Sequence, residues 1–100
     1  MPDELRRLIA GYQVSQAIHV AAVLRIADLL EDSPRTADDL AEATDTNSDA
    51  LFRLCRALAV VDVLRHEGDR VFALGRLGDA LRTDAPDSLQ GWAAFVGRGP

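Results

Sequence analysis

The sequence contains only one cysteine and no lysine, and its 11 basic residues are all arginines. The single cysteine, Cys55, excludes an internal disulfide and a zinc site built on pairs of cysteines. The residues around Cys55 are apolar, which indicates a small buried side chain. A reactive thiol, the alternative, would need an electropositive and open setting.

Positive charge and long apolar runs are also scarce. The formal net charge is −5 and the pI is about 4.8. An acidic domain is a poor candidate for nucleic-acid binding, because phosphate contacts dominate that affinity. No apolar run approaches the roughly 18 residues of a membrane-spanning helix, and the opening residues MPDELRRL do not resemble a signal peptide. We therefore expect no nucleic-acid partner, no membrane partner and a cytoplasmic location.

Sequence patterns of reaction chemistry are missing too. The phosphate-binding pattern GxxxxGKS/T is absent, and no GxGxxG follows a predicted strand. His19 and His66 lie far apart, and neither has a cysteine or carboxylate at metal-ligand spacing. His19 fits a surface or interface position better than a general base, and His66 fits a solvated position beside a turn. The sequence therefore predicts no catalytic, cofactor-binding or metal-binding residue in this chain.

The sequence does contain the pattern of a winged helix-turn-helix. Thr36 is a suitable N-cap for a short helix, because its hydroxyl can accept from a free backbone N–H. The helix dipole favours Asp38 and Asp39 in the first turn. A polar turn, a longer helix at about 49–62 and two β-rich segments follow. We predict a mainly α, winged helix-turn-helix-like domain over residues 1–100: a helical arm at 3–30, the helix-turn-helix at 36–62, a two-stranded β wing at 63–74 and C-terminal helices at 75–96.

The longer of these helices argues against DNA reading. Between Ala50 and Val61 only Arg53 and Arg56 are polar. A helix that reads the major groove needs a face of hydrogen-bonding groups, whereas a helix that is apolar on nearly all sides is buried. We therefore expect this helix to lie in the core or in an interface.

The arm is also broadly apolar, and Gly11 is expected to bend it or divide it in two. Two such helices carry more apolar surface than one 100-residue chain covers easily. Closed two-fold dimers are the commonest oligomers, so we predict a homodimer, with plain core packing as the alternative. The residues expected in the dimer interface are Leu5, Leu8, Tyr12, Val14, Ile18, Ala21 and Ala22.

The C-terminal segment ends in a new apolar helix. Trp92 and Phe95 are expected in the core of whatever follows, and the alternative is a pocket for an aromatic ligand. The chain stops soon after them, which suggests a truncated chain.

Several segments together resemble one known family. They are AAVLRIADLL, PRTADDLAEATDTNSDALFRLCRALAVVDVL and FALGRLGDALRTDAPDSLQGW, in this order. From about Gln13 to Trp92 the chain resembles the N-terminal domain of the S-adenosylmethionine-dependent O-methyltransferases, of the plant caffeic-acid type and the bacterial natural-product type. It departs from the family where Arg25 replaces the usual glycine and where Gly75-Arg76 replaces Thr-Pro.

The resemblance implies a winged-helix-like dimerisation domain that precedes a Rossmann-type catalytic domain. The glycine-rich loop for S-adenosylmethionine and the catalytic histidine of that domain have no counterpart here. The chain alone is therefore expected to be inactive and to bind no cofactor. By the same resemblance, the full-length parent is a homodimer that binds S-adenosylmethionine and methylates a small aromatic hydroxyl compound. Its N-terminal domains interlock and can close over the partner's substrate pocket.

Two other functions are open at the level of sequence. A DNA-binding winged-helix transcriptional regulator is compatible with the topology, and Arg53, Arg56, Arg65 and Arg70 could contact phosphates. A stand-alone oligomerisation adaptor is the third. Some relatives have also exchanged methyl transfer for chemistry such as hydroxylation.

Overall fold

The computed structural model describes residues 3–96, so residues 1–2 and 97–100 of the predicted domain lie outside it. The helices are α1 (Asp3–Leu24), α2 (Ile26–Leu29), α3 (Ala37–Thr44), α4 (Ser48–Val60) and α5 (Gln90–Val96), with a 3₁₀ helix at Gly78–Leu81, and the strands are β1 (Arg35–Thr36), β2 (Leu64–Gly68) and β3 (Val71–Leu74). The predicted mainly α, winged helix-turn-helix-like fold is confirmed.

Helix α1 ends at a backbone reversal and not at its glycine. It runs unbroken through Gly11, so a division of the arm at that residue is wrong. One glycine costs a helix only about 1 kcal/mol relative to alanine. The break lies at Arg25, whose φ of 56° and ψ of 42° are left-handed. A right-handed helix cannot continue through that conformation, so α2 starts in a new direction.

The helix-turn-helix is fixed by side-chain caps. The Thr36 hydroxyl accepts a hydrogen bond from the Asp39 backbone N–H at 3.0 Å, which confirms the predicted cap of α3. Asp45 ends α3 in a left-handed conformation, with φ of 55°. The Asn47 side-chain oxygen then accepts from the Ala50 N–H at 2.9 Å and starts α4. These two caps satisfy backbone donors that the first helical turns leave free.

The two strands predicted for the wing are present as β2 and β3, and a third strand that the sequence does not predict, β1, completes the sheet. The strands lie in the order β1-β3-β2, all antiparallel. In β1, Arg35 is paired with Phe72 and Thr36 with Val71. A strand of two residues is too short to show an alternation of polar and apolar residues in the sequence. Strand β1 forms only because it pairs with distant residues of β3. It draws the start of α3 against the wing.

A ring of polar and aromatic contacts joins the wing to the helix-turn-helix. Arg70 donates to Asp38 at 3.1 Å and to the Ser48 hydroxyl at 2.9 Å. Its guanidinium also lies 4.6 Å from the centre of the Phe52 ring. Hydrogen bonds from Ser48 and from Arg70 lower the pKa of the Asp38 carboxyl. Arg70, which the sequence left free for phosphate contacts, is therefore engaged within the chain.

Helix α4 is amphipathic, which corrects the expectation that it is buried on nearly all sides. Its buried residues are Leu51, Cys55 and Leu58, at helical spacing along one face. The opposite flank carries Arg53, Arg56, Ala57 and Val60, all exposed, with Val60 at 84%. The number of apolar residues in α4 overstated its burial, because apolar residues such as Ala57 and Val60 can also lie on the surface.

The core lies between the α2–α4 helices and the sheet. Its members are Ala21, Ile26, Ala27, Leu30, Ala37, Leu40, Ala41, Leu51, Cys55, Leu58, Val63, Leu64, Phe72 and Leu81. The segment after the 3₁₀ helix is fastened to α2, because the Thr83 hydroxyl and N–H both donate to Asp28, at 2.9 and 2.8 Å. This contact directs the chain back along α1, where α5 packs.

Candidate dimerisation surface

The first half of α1 projects from the body of the domain. Every residue from 3 to 13 is exposed, and at 1.5 Å per residue this segment is about 16 Å long. An isolated helix of this length is only marginally stable in water, since tertiary packing supplies most helical stability. The arm therefore needs a contact that the described part of this chain does not supply.

The exposed apolar side chains of α1 lie along one side. They are Leu5 at 46%, Leu8 at 68%, Ile9 at 46%, Tyr12 at 68%, Val20 at 39% and Val23 at 54% exposed. Steps of three and four residues keep successive side chains on the same face of a helix. We name these six residues the α1 stripe. A contiguous apolar surface of this kind marks an interaction site more often than a solvated surface.

The predicted interface residues divide into three groups. Leu5, Leu8 and Tyr12 lie on the α1 stripe, whereas Val14 and Ile18 are half-buried beside α5. The other two, Ala21 and Ala22, retain only 3% and 1% exposure within the chain itself.

Ala21 and Ala22 are therefore packed within this chain, and their place in the dimer interface stays a prediction. As the sequence suggested, their small side chains allow another element to pack closely against α1. The elements that pack there in the structure belong to the same chain. Three exposed residues of the α1 stripe, Ile9, Val20 and Val23, are not among the residues predicted from the sequence. Their helical register with Leu5 and Tyr12 was the signal that could have identified them.

A cleft of about 250 Å³ separates part of α1 from α5. It is lined by Gly11, Val14, Ser15, Ile18, His19, Trp92 and Ala93. The His19 Nδ1 atom lies 3.2 Å from the Ala93 carbonyl oxygen, and the Gln90 amide donates to the Ala22 carbonyl at 2.8 Å. These two bonds hold α5 on α1, which gives His19 a positioning role within the fold. Trp92 and Phe95 are 66% and 69% exposed in this chain.

The described residues carry few signs of reaction chemistry. Among them, no three His, Cys, Asp or Glu side chains form a group that could hold a metal ion. Cys55 is fully buried, and this burial raises its thiol pKa to about 11. No helix between residues 3 and 96 is long and apolar enough to cross a membrane. The surface that stands out is therefore apolar and suited to contact between proteins.

A winged-helix scaffold with a projecting apolar helix defines a class of association domain. A family model described as the O-methyltransferase dimerisation domain matches residues 6–84. The chain belongs to this family, and the resemblance noted in the sequence is confirmed. The scaffold therefore serves dimerisation, and DNA binding, the alternative weighed from the sequence, gains no support.

Similar proteins are methyltransferases about three to four times as long as this chain. A phenazine O-methyltransferase from Lysobacter antibioticus is 36% identical over 93 residues, which are 93% of this chain and 27% of that protein. The crystal structure of an 8-amino-8-demethyl-D-riboflavin dimethyltransferase from Streptomyces davawensis matches with a TM-score of 0.89 and 36% identity, over 96% of this chain and 29% of its own. A methyltransferase of calicheamicin biosynthesis, solved with bound SAH, matches with a TM-score of 0.83 and 42% identity, over 95% of this chain and 28% of its own.

Proposed function

We propose that this chain is the part of a larger methyltransferase that joins two subunits into a homodimer. The observation that carries the proposal is the exposed arm of residues 3–13, with Leu8 and Tyr12 each 68% exposed on its apolar side. Burial against a second copy would remove this surface from water and stabilise the arm, at roughly 25 cal/mol for each Å² of apolar area. Membership of the dimerisation domain family supports the same role.

Sedimentation of charged variants tests this proposal. Leu8→Glu combined with Tyr12→Glu places two charges on each copy of the arm, outside the described core. We expect the dissociation constant to rise at least about a hundredfold, since several kcal/mol of apolar burial is lost in a two-fold contact. Leu77→Glu is the matched control, because Leu77 is also exposed, at 46%, but lies after the wing. A wild-type chain that stays monomeric at high micromolar concentration would refute the proposal.

We further propose that the whole protein uses S-adenosylmethionine and methylates a small aromatic hydroxyl compound in natural-product biosynthesis. Support comes from the similar proteins, whose names include a phenazine O-methyltransferase and a methyltransferase with bound SAH. The riboflavin relative is an N,N-dimethyltransferase, so a nitrogen acceptor is the alternative that a methylation assay must separate from a hydroxyl.

The residues described here do not fit the methyl donor. A nucleotide cradle needs a glycine-rich turn that leads from a strand into a helix N-terminus. Within residues 3–96 the sheet is antiparallel, and the glycines after β3, Gly75 and Gly78, lead into a 3₁₀ helix of four residues. We therefore assign the donor to a separate Rossmann-type domain and expect this chain alone to be inactive. Calorimetric titration of the chain with S-adenosylmethionine should give no binding heat.

The cytoplasmic location expected from the sequence stays a prediction. Fractionation of cells that produce the whole protein tests it, and recovery in a membrane or secreted fraction would contradict it.

A further inference from the structure

Helix α5 buries little of its apolar surface against the rest of the chain. Residues 90–95 are half-buried or exposed, and Ala93 is the residue among them that packs against the core cluster. A helix of seven residues is not stable in water without tertiary contacts. The position of α5 therefore depends on polar contacts with its neighbours.

The start of α5 is bonded to the 3₁₀ helix at Gly78–Leu81. The Leu89 N–H donates to the Ala80 carbonyl at 2.8 Å, and the Ala93 N–H donates to the Leu89 carbonyl at 2.9 Å, one helical turn later. Backbone hydrogen bonds thus lead from the 3₁₀ helix directly into α5. Whatever holds the 3₁₀ helix in place therefore also sets the direction of α5.

Arg82 holds the end of the 3₁₀ helix through three carboxylates. Its Nε donates to Asp79 at 2.8 Å, and its Nη1 donates to Glu31 at 2.6 Å and to Asp84 at 3.2 Å. Glu31 follows α2, so the guanidinium joins two parts of the chain that lie 51 residues apart in sequence. The Arg82 side chain is only 19% exposed. A shielded guanidinium that binds several carboxylates is worth more than an isolated surface ion pair.

Thr83 adds two hydrogen bonds at the same place. Its N–H and its hydroxyl both donate to the Asp28 carboxylate of α2, at 2.8 and 2.9 Å. Helix α2 is anchored by the burial of Ile26 and Ala27 in the core, so it is the fixed side of the contact. We name six residues the Arg82 clasp: Asp28, Glu31, Asp79, Arg82, Thr83 and Asp84.

We propose that the Arg82 clasp is what holds α5 on α1, and that α5 leaves α1 as a unit, with the core still folded, when the clasp opens. Arg82 is a positioning residue, because it acts on α5 only through the 3₁₀ helix. Release of α5 widens the cleft that His19 and Trp92 line. The inference concerns contacts within one chain and does not depend on the proposed dimerisation.

Hydrogen exchange of the wild-type chain tests whether α5 opens as a unit. Local opening exposes less surface than global unfolding, and the urea dependence of exchange scales with the exposed surface. We expect the α5 amides to exchange faster than the α4 amides and to respond less steeply to low concentrations of urea. Mass spectrometry of peptides that cover α4 and α5 provides the measurement.

Arg82→Gln tests whether this opening breaks the clasp. Glutamine removes the positive charge and leaves the carboxylates facing one another. We expect the α5 amides to exchange roughly tenfold faster than in the wild type without urea, since the closed state loses a network of ion pairs. Arg76→Gln is the matched control, because Arg76 pairs with Asp62 but is 73% exposed and lies outside the clasp. It should leave α5 exchange within about twofold of the wild type.

Salt dependence separates an electrostatic clasp from a purely steric role of Arg82. In the wild type, about 1 M NaCl should accelerate α5 exchange severalfold, because salt screens partly exposed ion pairs. In Arg82→Gln the same salt should have little effect. Arg82→Lys keeps the charge without the planar fork, and we expect an acceleration of about threefold with the salt dependence retained. If circular dichroism shows that Arg82→Gln is unfolded, Asp28→Ala replaces it, since it removes both acceptors of Thr83.

Two results would overturn the proposal. Equal protection and equal urea dependence of α4 and α5 would mean that α5 leaves α1 only when the whole chain unfolds. Exchange of α5 in Arg82→Gln at the wild-type rate would mean that α5 leaves α1 while the clasp stays closed. Neither result bears on dimerisation, which sedimentation decides separately.

Discussion

At the scale of single residues, the conformation of Arg25 has a measurable cost. Its φ of 56° is the left-handed region that glycine adopts freely and other residues rarely adopt. We expect Arg25→Gly to raise the free energy of unfolding of the monomer by about 0.5–1 kcal/mol, the relief of backbone strain exceeding the added chain entropy. Urea denaturation under dilute conditions measures it.

Arg25→Ala is the control for that change, because it removes the guanidinium but keeps the strain. If Arg25→Ala stabilises the monomer as much as Arg25→Gly, the side chain and not the backbone is responsible.

Cys55 gives a pH-dependent prediction. Burial raises the pKa of its thiol to about 11 from an ordinary value of 9.0. Between these two pH values the native state therefore keeps its thiol proton, whereas the unfolded state loses it. The resulting stability is present below pH 9 and is lost as the pH rises towards 11, on the order of 2 kcal/mol.

Comparing the wild type with Cys55→Ala isolates this contribution, because the alanine variant cannot titrate there. Its free energy of unfolding should fall less steeply over the same pH range. At pH 8 a thiol reagent should label the native wild type only as fast as the protein opens. Rapid labelling of the native protein would contradict the burial argument.

At the scale of elements, the sequence predicts most of the helices and their caps but not every boundary. Local signals were sufficient for Thr36, where a hydroxyl at the right position caps α3. Two features depend on distant partners and were missed. Strand β1 exists only because Arg35 and Thr36 pair with β3, and the end of α1 at Arg25 is fixed by how α2 packs into the core.

The sequence also does not predict which side of helix α4 is buried. A count of apolar residues from Ala50 to Val61 cannot distinguish the Leu58 face from the Val60 face, since only packing decides which side is covered. The same holds for α1, because composition alone does not reveal that Ala21 and Ala22 are covered by their own chain. By contrast Leu5, Leu8 and Tyr12 are exposed in this chain, and their predicted place in a dimer interface stays a prediction.

Substitutions on the two faces of α4 test its orientation. Leu58 is completely buried and Val60 is 84% exposed. We expect Leu58→Ala to lower the free energy of unfolding by about 2–5 kcal/mol through lost burial and a cavity. Val60→Ala should change it by less than about 0.5 kcal/mol. Thermal unfolding of both variants provides the measurement, and similar losses would show that the α4 orientation described here is wrong.

At the scale of the whole molecule, the order of the arm should depend on protein concentration. Residues 3–13 have little within the described chain to pack against, so the proposed dimer contact would be what holds them helical. On dilution we expect the backbone amides of this segment to exchange hydrogen rapidly, whereas the amides of α4 keep their protection. Hydrogen exchange at high and low micromolar concentration provides the measurement. Concentration-independent protection of the arm would mean that it is stable without a second copy.

The projecting arm also bears on the fate of surplus subunits in a cell. A protomer without a partner would expose the apolar side chains of this segment to water, and exposed apolar segments are the kind of feature that proteases cleave and chaperones bind. Its removal would leave paired subunits as the long-lived species. Residues 3–13 would then determine both the assembly of the protein and the rate at which unpaired subunits are degraded.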